Sequence, residues 1–212
     1  MINILLTDDH PYLRRGLVQI FIDEFPGATI GEASNVPELL AKAQKQPWDV
    51  VVLDLSMPGR GGLEALHELK GLYPNLPVLV LSMHPEDQFA VRVLRAGGAG
   101  YLTKERAPQE LVHAIKAIWK GGKYITPKAA ELLAAHVYQH GDSEQPLHLS
   151  LSDREYQVFG LIAAGRTITD ISDQLSLSVK TISTYRSRIL TKLNLKTNAD
   201  LARYAVQHRI VE

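Results

Sequence analysis

Two aliphatic runs in this chain stop abruptly at aspartate. Ile2-Asn3-Ile4-Leu5-Leu6-Thr7 closes on Asp8-Asp9, and Val50-Val51-Val52-Leu53 closes on Asp54. A strand covered on both faces reads as a nearly unbroken apolar run, which is the mark of a parallel sheet. Three further strand-like runs lie near 28–33, 77–82 and 99–103. Between the five, segments 12–25, 37–45, 63–72, 86–96 and 108–120 carry apolar residues at three- and four-residue intervals, for example Leu111, Ile115, Ile118 and Trp119. Strict alternation of strand and helix, with right-handed crossovers, predicts an α/β fold: a five-stranded parallel, doubly wound sheet with helices on both faces. Gly71, Gly97-Gly98 and Gly121-Gly122 are expected just after helix ends, where a left-handed residue is wanted.

The pattern changes after Gly122. A helix is expected over 127–138, and His140-Gly141-Asp142-Ser143-Glu144-Gln145-Pro146 reads as a polar linker. From Ser150 onward there is no convincing strand. Four helical segments follow: one opened by the capping box Ser152-Asp153-Arg154-Glu155, one over 168–175, one over 179–193 after Ser176-Leu177-Ser178, and one over 199–207 with Asn198 as its cap. The expected organisation is an α/β domain at 1–122, a linker with a helix at 123–147, and an all-α domain at 148–212.

Charge separates the parts only weakly. Residues 147–212 hold nine Lys/Arg against six Asp/Glu, and the remainder fourteen against seventeen. An anionic partner of the C-terminal part must therefore meet a local patch. The chain has no cysteine, which excludes disulfides and thiolate metal sites. Its longest apolar run, near 76–83, is far too short to span a bilayer, so a soluble cytoplasmic protein with no membrane partner is expected.

Ligands of open parallel sheets collect outside the carboxyl ends of the strands, and adjacency of the first and third strands would set Asp8, Asp9 and Asp54 side by side. Such a set of hard oxygens repels itself and calls for a cation, and Mg2+ suits it. Ser82 closes the fourth strand and Lys104 follows the fifth, aiming a hydroxyl and an ammonium at the same edge. A carboxylate nucleophile, metal ligands, a hydrogen-bond donor and a charge clamp are the parts that phosphoryl transfer requires.

In the all-α part, 168–175 and 179–193 make a tight pair of helices of the helix-turn-helix kind. Ile182, Ile189, Leu190 and Leu193 share the inward side of the second helix. Lys180, Ser183, Thr184, Ser187, Arg188 and Thr191 lie outward, where short hydroxyl side chains let a helix approach base edges and cations neutralise phosphates. Ser178 is the expected cap of that helix.

Two resemblances sharpen these readings. Asp8-Asp9, Asp54-Leu55-Ser56-Met57-Pro58 with Gly62, Ser82, and Tyr101-Leu102-Thr103-Lys104 resemble the receiver domain of two-component response regulators, whose sheet is flavodoxin-like. The resemblance implies that Asp54 is the phosphoacceptor of a sensor histidine kinase. Asp9, Asp54 and the Ser56 backbone carbonyl would bind Mg2+, with Asp8 helping through water. Lys104 would pair with the phosphoryl group, Ser82 would turn toward it and Tyr101 would swing inward, although Tyr101 reads equally well as a core aromatic. Ser56 and His84 flank the acceptor at positions that affect phosphoryl lifetime in that family.

Leu151-Ser152-x-Arg154-Glu155, Gly165, Ile171 and Ser178-Val179-Lys180-Thr181-Ile182-Ser183-Thr184-Tyr185 through Lys192-Leu193 resemble the four-helix DNA-binding domain of the LuxR/NarL type, with Ser172 where that family more often has Ala. By that resemblance Ser183, Thr184 and Ser187 read bases, while Lys180, Thr181, Tyr185, Arg188 and Lys192 contact the backbone. Tyr185 could equally pack inside the domain. The chain as a whole then reads as a phosphorylation-switched transcription regulator, homodimeric when active, with double-stranded DNA and a histidine kinase as partners and RNA polymerase as a further one. It would turn over no substrate beyond its own phosphorylation and slow dephosphorylation. The alternatives are a Mg2+-dependent phosphohydrolase on the same fold and a DNA binder that needs no phosphorylation.

Overall fold

The computed structural model describes residues 1–57, 62–138, 146–175, 177–208 and 210–211. Contacts divide the chain into two compact units, Met1–Gly141 and Asp142–Glu212. In the first, β1 (Asn3–Thr7), β2 (Thr29–Ala33), β3 (Val50–Asp54), β4 (Val78–Ser82) and β5 (Gly100–Thr103) form one parallel sheet in the order β2-β1-β3-β4-β5. The intervening helices are α1 (Pro11–Glu24), α2 (Val36–Lys45), α3 (Gly62–Leu72), α4 (Glu86–Arg95) and α5 (Ala107–Trp119). Every residue of β3 and β4 is buried, whereas in the edge strand β2 Thr29 and Glu32 are exposed and only Ala33 is buried. Successive strand residues point to opposite faces. Ile4, Leu6, Val50, Val52, Leu79 and Leu81 therefore pack in one cluster with Phe21 of α1 and Leu111, Ile115 and Ile118 of α5.

Register decides which side chains meet at the carboxyl edge. Thr7 pairs with Leu53, Asp54 with Leu81 and Ser82 with Thr103. Asp8 thus leaves β1 level with Asp54 on β3. The chain turns in opposite directions from these two strands, which opens a crevice at the switch point. Gly62 closes it on one side. A Cβ there would stand 2.4 Å from Leu55 Cα and 2.6 Å from the Asp54 carbonyl oxygen, so α3 approaches the end of β3 only because this residue has no side chain.

Several local expectations are corrected. Gly97 and Gly121 are left-handed, at φ 89° and 85°, but Gly71 lies within α3 and has no such conformation. The helix at 127–138 forms as α6 (Pro127–Tyr138), and α6 packs on α4 within the first unit. Ahead of it, Tyr124 bridges to Gly100 beside β5. The linker expected at 140–146 falls, apart from Pro146, outside the described residues, as do Pro58 and Ser176.

The second unit begins with a short 3-10 turn at Leu147–Ser150, followed by α7 (Asp153–Ala163), α8 (Ile168–Leu175), α9 (Val179–Lys192) and α10 (Asn198–Gln207). Its core joins Val158 and Phe159 of α7 with Ile171, Ile182, Ile189 and Leu201 from the other helices. The capping box at Ser152 and Glu155 forms as read. The cap of α10 is Thr197 and not Asn198: the Thr197 hydroxyl accepts from the Asp200 N–H, and Asp200 reaches back to the Thr197 N–H, a reciprocal pair that Asn198 cannot make from inside the helix. Among the described residues no helix is long and apolar enough to cross a membrane.

Replacing Gly62 by Ala forces a methyl against backbone. This should cost the first unit about 1–3 kcal/mol, read as a lower urea midpoint by tryptophan fluorescence, since Trp48 and Trp119 both lie in that unit. An unchanged midpoint would show that α3 can withdraw freely from β3.

Candidate functional site

The crevice at the ends of β1 and β3 is built around one ammonium. Lys104 Nζ, just beyond β5, lies 2.7 Å from Asp54 Oδ2 and 2.8 Å from Asp8 Oδ2. Asp54 and Asp8 are each 1% exposed. The other Asp54 oxygen accepts the Ser56 backbone N–H at 2.9 Å, which fixes the carboxylate plane. Burial pushes the Asp54 carboxyl above its usual range; Lys104 and the Ser56 amide oppose this, and the neighbouring Asp8 adds to it. Burial alone would lower Lys104, but the two carboxylates outweigh it and hold the ammonium protonated. Two buried carboxylates thus share one cation, and the pocket is under-neutralised.

Asp9 is less buried and lies on the solvent side of the pair. His10 joins them, which the sequence reading missed. Its Nδ1 is 2.9 Å from Asp9 Oδ1, 3.1 Å from Asp8 Oδ1 and 4.0 Å from Asp54 Oδ2. The only signal in the sequence was adjacency in Asp8-Asp9-His10. Ligand atoms of Asp8, Asp9, His10 and Asp54 lie within 4.8 Å of one another. Asp8 Oδ2 and Asp9 Oδ1 are buried and accept no aligned hydrogen bond, although each lies within 3 Å of a nitrogen. Buried hard oxygens in this condition fit a small divalent cation such as Mg2+. Of Ser56, the engaged group is the amide.

Ser82, fully buried at the end of β4, accepts the His84 backbone N–H at 3.1 Å. Tyr101 is 2% exposed, and its phenol donates to the His84 carbonyl at 2.7 Å and also meets the Ser82 hydroxyl. It is therefore at once a core aromatic and a tie to the β4–α4 segment. Burial raises its phenol far above the ordinary value.

In the second unit Ser178 caps α9 by accepting the Thr181 N–H. Ser172, the departure from the resembled pattern, is buried and donates to the Leu177 carbonyl at 2.6 Å, pinning the turn between α8 and α9. Lys180, Ser183, Thr184, Ser187 and Arg188 are exposed along one side of α9, and Thr181 and Tyr185 are half-buried at its margin. The hydroxyls of Thr184, Ser187 and Thr191 donate back to the carbonyls of Lys180, Ser183 and Ser187, leaving lone pairs outward.

Lys192 stands apart from that face in its bonding. Its ammonium lies 2.6 Å from Glu155 Oε2, the oxygen that also accepts the Ser152 N–H, although the lysine remains 41% exposed. Burial would raise Glu155, but Lys192 and Ser152 bring its carboxyl below the usual range. Lys192 thus ties the end of α9 to the start of α7. Moving it to a phosphate would strand a buried carboxylate. Lys192→Met should therefore destabilise this unit by about 1–3 kcal/mol, seen as faster hydrogen exchange in α7 and α9. A carboxyl lowered in the folded state stabilises above its unfolded pKa and loses that contribution as pH falls through its folded value. Acidification from pH 5 to 3 should therefore weaken the wild type more than Glu155→Gln; equal losses would show that the pair contributes nothing.

Comparison with known proteins agrees with both units. Residues 4–116 match the response regulator receiver domain, and residues 149–205 match the bacterial regulatory proteins of the luxR family. The chain is 39% identical over 212 residues to the response regulator GacA of Pseudomonas viridiflava, covering 100% of this chain and 99% of that one. It is 38% identical over 208 residues to the response regulator UvrY of Escherichia coli, covering 98% and 95%. Among solved structures, RcsB from Salmonella enterica serovar Typhimurium, bound to a promoter in the presence of a phosphomimetic, is similar with a TM-score of 0.59 at 28% identity, covering 96% and 98%. With its sheet order, its acidic crevice and matches spanning both units, the chain belongs to the two-component response regulators that join a receiver domain to a luxR-type regulatory domain.

Proposed function

We propose that this chain is a DNA-binding transcription regulator switched by phosphorylation of Asp54. The observation that carries the reading is the Lys104 ammonium shared by Asp54 and Asp8 in an under-neutralised pocket. An Asp54 oxygen bonds to phosphorus as the bond to the kinase histidine nitrogen breaks, the nitrogen keeping the electron pair. Asp8, Asp9, Asp54 and the Ser56 carbonyl would hold Mg2+, which when bound supplies positive charge at the transferring phosphoryl oxygens. Lys104 clamps the phosphoryl group by charge. Ser82 would offer its hydroxyl proton to that group by turning away from the Tyr101 phenol that it meets here, its bond from His84 using only a lone pair. The chemistry stops at self-phosphorylation and slow hydrolysis.

The second unit would bind double-stranded DNA through α9. RcsB, similar over nearly the whole chain, is described in complex with promoter DNA. Ser183, Thr184 and Ser187 are the base readers in this proposal, and Lys180, Thr181, Tyr185 and Arg188 the backbone contacts. Lys192 mainly orients α9. A homodimer would set two such helices on paired half-sites, with a histidine kinase upstream and RNA polymerase as a further partner.

Asp54→Asn should abolish labelling by acetyl phosphate without loss of thermal stability, because it removes a buried charge from a repelling set; labelling at another residue would overturn the assignment. Lys180→Ala should weaken binding to every DNA sequence and reduce the salt slope by about one. Thr184→Ala should instead change preference among selected sites, and unaltered binding on all of them would displace the readout face.

A further inference from the structure

We propose that Glu86 and Thr126 form a latch that carries the state of the Asp54 pocket to α6, the last element of the first unit before the chain continues to the second. The inference deepens the reading of the chain as a phosphorylation switch and rests on it.

Glu86 begins α4, directly after Met83-His84-Pro85, and that segment is tied to the pocket twice. The His84 N–H donates to Ser82 Oγ at 3.1 Å, and the Tyr101 phenol donates to the His84 carbonyl at 2.7 Å. A change in where Ser82 points therefore acts on the backbone two to four residues ahead of Glu86. The Glu86 carboxylate is 6% exposed. One oxygen accepts the hydroxyl proton of Thr126, itself 3% exposed, and the other lies 3.6 Å from Arg106 Nη1. The same Thr126 hydroxyl accepts the Ala129 N–H at 3.1 Å in the first turn of α6. One hydroxyl thus joins the starts of two helices, giving its proton to α4 and a lone pair to α6.

A buried carboxylate does not give up a hydrogen bond freely. If α4 shifts at its first turn, Thr126 must follow, or the bond breaks and the cap of α6 is left to rearrange; either course alters α6. Three other ties hold the neighbourhood without the latch. Tyr124 donates to Glu110 on α5 while its N–H donates to the Ala99 carbonyl at 2.8 Å, and Lys128 meets Asp87 in an exposed pair at 3.2 Å. Loss of the Thr126 hydroxyl therefore leaves the segment attached but uncoupled.

The test uses the full chain and a DNA fragment selected by the wild type from a random pool. Affinity is measured with and without acetyl phosphate, and hydrogen exchange is followed in α6. In the wild type, phosphodonor should change both the affinity and the protection of α6 amides. Thr126→Val should keep wild-type labelling of Asp54 but bring the phosphodonor-dependent affinity ratio at least fivefold closer to one, with no change in α6 protection. Thr126→Ser, which keeps the hydroxyl, should restore both, and Lys128→Ala should leave both intact. A Thr126→Val protein with wild-type labelling and a wild-type ratio overturns the latch alone. If that variant fails to fold, wild-type α6 protection that ignores phosphodonor overturns it just as well. Absence of Asp54 labelling in the wild type overturns the reading of the pocket, and the latch falls with it.

Discussion

The Lys104 ammonium, placed between Asp54 and Asp8, is the contact on which the carboxyl edge of the sheet depends. Burying a carboxylate is unfavourable unless a partner compensates, and breaking a buried ion pair typically costs about 3–5 kcal/mol. Here one cation serves two acids, and burial, with a smaller push from Asp8, leaves the Asp54 carboxyl raised. Such a pocket is poised to accept additional positive charge, and it offers a carboxylate oxygen to an electrophile. The geometry follows from register: Asp8 and Asp54 leave paired strands at the same level, and β5 brings Lys104 to them from across β4.

The second unit uses the same ingredients to a different end. Glu155 is buried and faces a lysine, but it is one acid with one cation and two reciprocal bonds to Ser152. Its pKa is lowered, where that of Asp54 is raised. Balanced charge makes a fastener between α7 and α9; two acids on one ammonium leave the Asp54 pocket short of positive charge. The main difference is the deeper burial of Asp54, to which the second acid beside Lys104 adds.

The architecture was legible in the sequence because it is written locally. Unbroken apolar runs mark buried strands, three- and four-residue spacing marks helices, and strict alternation of the two restricts the sheet order. Asp8, Asp9, Asp54, Ser82 and Lys104 could be gathered at one edge because each follows a strand, and direction places strand ends without knowledge of side-chain contacts. Where reading failed, the deciding partner was nonlocal or one residue away. Thr197 displaced Asn198 because the reciprocal bond with Asp200 selects one of two adequate caps. His10 entered the acid cluster through a local turn, and Glu86 met Thr126 forty residues along the chain.

By itself, then, the sequence determined the elements, their order and the chemistry carried to one edge of the sheet, since period and strand direction are properties of the chain alone. Only the tertiary structure decided which acid shares which cation. It placed Lys104 between two carboxylates and Lys192 beside one, buried Tyr101 with its phenol on the His84 carbonyl, and packed α6 onto α4. These outcomes depend on distances of a few ångströms between groups far apart in sequence. Coulombic and hydrogen-bond energies vary steeply over that range, and no local pattern encodes them.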